Sequence, residues 1–107
     1  MKKGMIKLSA LYPNTEGSYF DIDYYCNTHT PMVAKFLGDA MKHAAVEEGL
    51  SAFDRDSEKP FMAIGHLYFD TLDDMHNAFE PYMEEIMGDI KNYTNVQPYF
   101  QISTVKI

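Results

Sequence analysis

The chain has 107 residues, 46% hydrophobic and 23% charged, a globular composition for one domain (1–107) with one modest core. Its formal charge of -7 excludes the basic footprint that nucleic acid requires and disfavours an anionic membrane surface. One cysteine, Cys26, rules out an intrachain disulfide, and MKKGMIKLSA carries no signal-peptide core, so a reduced, cytoplasmic setting is expected. No run reaches the ~18 apolar residues of a membrane span.

Residues 5–12 alternate, with Ile6, Leu8, Ala10 and Tyr12 on one face and Lys7 and Ser9 on the other. That spacing predicts a strand, ended by Pro13-Asn14 and Gly17. Asp21 is the expected N-cap of a helix, with Phe20 and Tyr25 stapling its first turn. The helix is expected to pause at Thr30-Pro31, where Thr30 caps a second piece and Pro31 takes its first position. Val33, Phe36 and Leu37 keep the helical spacing up to Gly38.

Residues 41–50 contain good helix formers, but their short span between a helix stop and a loop favours a strand. Residues 51–59 read as an exposed loop. The clearest strand is 60–70, with Phe61, Ala63, Gly65, Leu67 and Phe69 opposite Met62, Ile64, His66 and Tyr68. The clearest helix is 71–88, with Leu72, Met75, Phe79, Tyr82, Met83 and Ile86 along one stripe. Asp70 or Thr71 caps it, and Pro81 should kink or break it. Residues 96–107 return to a strand, with Phe100 and Ile102 opposite Tyr99, Gln101, Ser103 and Val105. The order β-α-β-β-α-β predicts an α+β, ferredoxin-like fold: one antiparallel sheet with two helices on one face.

Ile6, Leu8, Phe61, Leu67, Phe69, Phe100 and Ile102 should meet those helices. The opposite face carries Leu11, Met62, Ile64, His66, Tyr68, Tyr99 and Val105, too apolar for a solvated surface. Two such faces stacked would form a homodimer enclosing a lumen. That lumen is either a small-molecule site or a plain interface.

His29 is the leading acid/base candidate, because an imidazole titrates nearest neutral pH. Tyr25, one helical turn earlier, shares its face. The competing structural role for His29 is to cap the first helical piece, its charge favouring the negative dipole end. His66 and Tyr68 project from the strongest strand toward the expected lumen, as substrate contacts or as interface residues. Tyr93, within Asn92-Tyr93-Thr94-Asn95, either rims a site or belongs to a turn rich in side-chain hydrogen bonds. Cys26 is expected to be buried and inert, and His43 and His76 have no supporting context. No zinc spacing, GxGxxG, P-loop or GxSxG occurs, so no cofactor or metal is expected.

The segment FDIDYYCNTHTP resembles the opening motif of the EthD family: an aromatic-Asp pair, two tyrosines, then His-x-Pro. MIKLSALYPN, FMAIGHLYFD, EIMGDIKNYTNVQP and QISTVKI extend the resemblance over most of the chain, the 51–59 loop excepted. The resemblance implies a ferredoxin-like fold and a dimeric α+β barrel, with an oxidoreductase association. Barrels of this kind include cofactor-free monooxygenases, muconolactone-type isomerases, polyketide cyclases and dehydratases. By similarity to the methylmuconolactone isomerases, the histidine of the His-x-Pro motif, here His29, contributes to the site. The monooxygenases often use tryptophan, and this chain has none. Two functions follow as expectations. One is a catabolic enzyme for a small, apolar, oxygenated metabolite, with His29 as acid/base. The other is an accessory dimer that holds such a metabolite for a neighbouring oxygenase.

Overall fold

Strand β1 (Ile6–Pro13) lies inside a four-stranded sheet, because the computed structural model, which describes residues 2–107, pairs it on both edges. Its neighbours are β3 (Phe61–Phe69) and β4 (Tyr99–Thr104), and β2 (Met41–Glu48) pairs with β3, giving the order β2-β3-β1-β4. Every neighbouring pair is antiparallel. This is the expected ferredoxin-like arrangement, and residues 41–48 resolve as strand. No helix of the described residues is long and apolar enough to cross a membrane.

The first helical run comprises α1 (Ile22–Tyr24), a π-helical turn (Tyr25–His29) and α2 (Thr30–Leu37). Asp21 caps it as expected, its Oδ1 accepting the Tyr24 N–H at 3.0 Å. The expected pause at Thr30-Pro31 is absent: His29 and Thr30 are both right-handed helical, and Thr30 N–H bonds to the Tyr25 carbonyl five residues back. A proline ring in an α-helix collides with the carbonyl four residues earlier and offers no N–H. The wider π turn just before Pro31 accommodates both defects without stopping the helix. Gly38 then ends it at φ 57, a value that favours glycine.

The second helical run breaks where Pro81 lies. α3 (Leu72–Phe79) gives way to a 3₁₀ turn (Glu80–Tyr82), and α4 (Met83–Gly88) follows. Thr71 is the cap, accepting the Asp74 N–H at 3.0 Å. The expected apolar stripe is only partly buried: Met75, Phe79 and Ile86 are inside, whereas Leu72 and Met83 are exposed. The break resets the helical phase, so one stripe cannot serve both pieces. Tyr82, in the 3₁₀ turn, stacks flat on Phe36 of α2 with ring centroids 4.4 Å apart.

Two buried clusters follow one another along the helix-bearing face of the sheet. The first joins Val33, Leu37, Phe69, Met75, Phe79 and Ile86, with Ile6 and Leu8 beneath. The second joins Tyr12, Tyr25, Met62, Ala63 and Tyr93, with Ala10 beneath. Met62 was expected on the opposite face. A register shift between Tyr12 and Pro13 pairs Pro13 with Phe61 and leaves Met62 unpaired, so Met62 turns into the second cluster. Phe61, beyond the shift, belongs to neither cluster. Phe100 and Ile102 face the helices through their pairing with Ala10 and Leu8, yet each remains 47% exposed. They lie on the edge strand, at the margin of the helical layer.

Candidate active site

The second cluster is polar as well as aromatic, and it is built by three separate stretches. The π turn supplies Tyr25 and His29, β1 supplies Tyr12, and the segment after α4 supplies Asp89 and Tyr93. The last stretch is tied to the first helical run by its backbone: Asp21 N–H bonds to the Tyr93 carbonyl at 2.8 Å, and Phe20 bridges to Thr94. Side chains add to the clamp. Thr94 Oγ1 donates to the Tyr19 carbonyl, and Asn95 bonds both the Tyr19 N–H and the Gly17 carbonyl. The Asn92–Asn95 turn is therefore rich in side-chain hydrogen bonds, as its composition suggests.

His29 is 6% exposed, and its Nδ1 lies 2.8 Å from Asp89 Oδ2. The other carboxylate oxygen, Oδ1, accepts from the Tyr24 hydroxyl at 2.7 Å and from Asn92 Nδ2 at 2.8 Å. Burial works against the Asp89 charge, but the hydrogen bonds from Asn92, His29 and Tyr24 outweigh it and hold the carboxyl below its ordinary range. Burial likewise lowers the His29 value, with Asp89 only partly offsetting it, so the imidazole is neutral at neutral pH. A carboxylate facing Nδ1 requires the ring proton there. The Nε2 lone pair is then free, and Nε2 has no hydrogen-bond partner among the described residues. Since no fully buried side-chain nitrogen or oxygen among the described residues lacks a partner, Nε2 is not fully buried. His29 does not cap a helix end; it sits inside a continuous helical run.

A cavity of about 70 Å³ lies between the sheet and the helices, bordered by His29, Tyr25, Tyr93 and Tyr12. Leu8, Ala10, Val33, Leu67, Phe79 and Ile86 make its apolar wall, and the half-exposed Met87 and Phe100 mark its mouth. Its size is well below the roughly 300–1,000 Å³ typical of drug-sized ligand pockets. Tyr25 stacks on His29 at 5.3 Å and 15°, and Tyr93 tilts against it at 4.7 Å. The Tyr12 and Tyr93 hydroxyls are hydrogen-bonded at 2.7 Å. Burial first, then neighbouring phenols, raises the values of Tyr12 and Tyr25, and burial raises Tyr93, so all three stay protonated.

The five residues expected from sequence fall on two sides of the sheet. His29, Tyr25 and Tyr93 converge on this cavity. His66 borders it, but its ring belongs to the opposite face: Nδ1 lies 2.9 Å from Ser9 Oγ and Nε2 3.3 Å from Glu47 Oε1. Both nitrogens are thus engaged. Tyr68 shares that face, its ring beside His43 at 5.6 Å. Period-two alternation separates these residues from His29, because Gly65 and Leu67 are the ones turned toward the helices. Cys26 is exposed, against the expectation of a buried thiol, because the π turn presents it outward. Asp89, Tyr12 and Tyr24 carry the site without being singled out by the sequence. The available signal was the spacing Asp89-x-x-Asn92-Tyr93.

Gly65 has a specific reason to be glycine. A Cβ built there would run into the Tyr25 hydroxyl, which is held by its ring packing against Tyr12, Phe20, His29 and Tyr93. Replacing glycine by alanine gains about 0.4–1 kcal/mol through the unfolded chain, but overpacking costs about 1–3 kcal/mol. Gly65→Ala is therefore expected to lower the urea midpoint, and a Gly65→Ala/Tyr25→Phe double variant to recover part of the loss. An unchanged midpoint for the single variant would show that Tyr25 can move.

A family model described as the EthD domain matches residues 20–97 of this chain. The chain belongs to the EthD family. An EthD-like protein of Ralstonia eutropha has a crystal structure that superposes on this EthD domain with a TM-score of 0.92 and 40% identity, over 99% of this chain and 96% of that one. An ethyl tert-butyl ether D (EthD) family protein of Bacillus halodurans shares the fold at a TM-score of 0.66 and 21% identity, over 92% of this chain and 96% of that one. No curated protein matches the chain.

Proposed function

We propose that this EthD domain is a proton-transfer enzyme for a small, apolar, oxygenated metabolite, with His29 as general acid/base and no metal or organic cofactor in the step. One observation carries the reading: a neutral imidazole, oriented by a carboxylate through Nδ1 and unpartnered at Nε2 among the described residues, borders an apolar cavity. In the proposed step Nε2 takes a proton from a carbon adjacent to an oxygen function. The C–H electron pair moves toward that oxygen, and the imidazolium that forms is paired with Asp89. Returning the proton to a conjugated carbon isomerises the molecule; delivering it to a departing hydroxyl dehydrates it. Both outcomes balance in atoms and electrons, and neither consumes an oxidant. A general base so positioned contributes about 10²- to 10⁴-fold.

The test is deuterium uptake from D₂O into a panel of small cyclic ketones, lactones and phenols, followed by NMR. Wild type is expected to accelerate exchange in at least one member, and His29→Gln to abolish the acceleration. Exchange that survives in His29→Gln would remove His29 from the mechanism. A panel that binds without exchanging would favour the accessory-binding role over catalysis.

The same reading has the domain act in the cytoplasm as a homodimer through the sheet face opposite the helices. Support comes from the apolar groups there, including Leu11, Ile64 and Tyr99, the last 66% exposed. Native mass spectrometry should then report twice the 12.3 kDa chain mass. A monomer at micromolar concentration would remove the dimer from the proposal.

A further inference from the structure

A buried carboxylate beside a histidine either orients the ring or competes for its proton. Which behaviour prevails depends on what else the carboxylate accepts. Asp89 is buried, and its two oxygens are used unequally. Among the described residues Oδ2 meets His29 Nδ1 alone, at 2.8 Å. Oδ1 accepts from two donors, the Tyr24 hydroxyl at 2.7 Å and Asn92 Nδ2 at 2.8 Å. Asn92 lies three residues after Asp89, in the 3₁₀ turn Ile90–Asn92, so its bond is local. Tyr24 is the last residue of α1, 65 positions from Asp89, and its bond crosses from the first helical run to the segment after α4. Its ring is held apart from its hydroxyl: it stacks on Tyr93 with centroids 6.2 Å and planes 26° apart. Neither Tyr24 nor Asn92 borders the cavity, so both act on Asp89 from behind.

No other charge acts on the imidazole at close range. The groups that face it are Asp89 and Tyr93 from the segment after α4 and Tyr25 from its own helical run. Tyr12 of β1 borders the same cavity, and all three phenols are protonated. Thr30 and Val33 of α2 are uncharged, and among the described residues no lysine or arginine borders the cavity. His66 borders it from β3, but both of its nitrogens are engaged on the opposite face of the sheet. Whatever changes the Asp89 carboxylate therefore reaches His29 first. A donor to a carboxylate spreads its charge and lowers its affinity for a further proton. With two donors on Oδ1, Asp89 stays ionised while the imidazole charges, and it holds the imidazolium less tightly than a carboxylate without them.

We propose that Tyr24 is a positioning residue of this site, acting together with Asn92: by occupying Asp89 Oδ1 the two donors reserve Oδ2 for His29 and weaken the carboxylate's pull on the imidazole proton. The ring is thereby left as the free base that proton abstraction needs. The inference rests on the acid/base reading for its consequence in catalysis, but not for the coupling itself, which exists without a substrate.

The test is an NMR titration of the His29 ring in the full chain, with no ligand added. Tyr24→Phe keeps the stacked ring and deletes only the hydroxyl. His29 is expected to bind its proton about threefold to tenfold more tightly in Tyr24→Phe, and more tightly also in Asn92→Ala. That is a part of the roughly tenfold to hundredfold that one such bond is worth to the carboxylate itself. The double variant should exceed either single one. A His29 titration that stays in place in Tyr24→Phe, or moves toward weaker proton binding, would overturn the proposal. Should Tyr24→Phe not fold, Asn92→Ala decides by the same criterion. In the deuterium-exchange assay the neutral imidazole is the active form, so the acid limb of the pH profile should move to higher pH in these variants by the same factor. A shifted titration in a protein that exchanges no member of the panel would uphold the coupling and sink the catalytic reading.

Discussion

An Asp89→Asn variant is expected to lose about 10²-fold or more of the proposed proton-exchange activity while keeping its fold. The reason lies in how the carboxylate is shared. Its Oδ1 accepts from Tyr24 and Asn92, whereas Oδ2 faces His29 Nδ1. An asparagine would put its carbonyl oxygen where the two donors converge. Its amide NH₂ would then face His29 Nδ1 and donate to it. The imidazole would be forced into the tautomer with the proton on Nε2, the nitrogen that must act as base. Nitrogen-15 NMR of the imidazole reads the tautomer directly, without any substrate. A variant that keeps the Nδ1 proton and full exchange activity would show that Asp89 does not set the tautomer.

The same pair predicts acid sensitivity in the wild-type protein. Asp89 is held below its ordinary value, so its stabilising contribution is present above the unfolded carboxyl value and is lost as pH falls through the folded one. His29 is also lowered: below the ordinary imidazole value the unfolded chain binds the proton that the folded chain refuses, and stability falls with pH there too. Both slopes have the same sign. The thermal midpoint should therefore fall as pH drops below about 6.5, first through His29 and then, near and below about 4, through Asp89. An Asp89→Asn protein should lack the lower part of the fall.

Phe69→Ala should be among the most damaging core substitutions, at about 3–5 kcal/mol. Phe69 is fully buried near the end of β3, pairs with Ile6 and Met41 on either side, and packs against Phe79 of α3 at 6.1 Å. It therefore joins the sheet to the second helical run. Domains of this size hold only about 5–15 kcal/mol in all, so a fifth or more of the stability should disappear. Urea unfolding measures the loss. A cost near 1 kcal/mol would mean that the neighbours collapse into the space, which this packing does not anticipate.

Much of this architecture was readable from residue spacing. Alternation identified β1 and β3, and Asp21, Thr71 and Gly38 marked helix ends through the conformations and hydrogen bonds that those residue types favour. Pro81 marked the break in the second run. His29, Tyr25 and Tyr93 were found because their side chains are rare enough to stand out. Asp89 was not, because it is one of 16 acidic residues and its role depends on a partner 60 positions away. The inward turn of Met62 depends on a register shift, which is a property of two strands together. Period-two reading cannot see it. The position of the cavity is illegible for a related reason: the space under the helices is set by how three separate stretches pack on the sheet, whereas residue alternation reports only which face of the sheet is apolar.

The π turn at Tyr25–His29 also acts as a counter of residues. It holds one more residue than an α turn would, so the helix before it and the helix after it are out of step by about 100°. That offset lets Tyr25 and His29 address the aromatic cluster while Val33 and Leu37 address the aliphatic one. Deleting a single residue from Cys26 to Thr28 would restore regular winding, and would then drive the Pro31 ring against a carbonyl and rotate His29 away from Asp89. A homologue lacking the proline is free to lose that residue, and its alignment with this chain should then carry a one-position gap inside an otherwise unbroken helix.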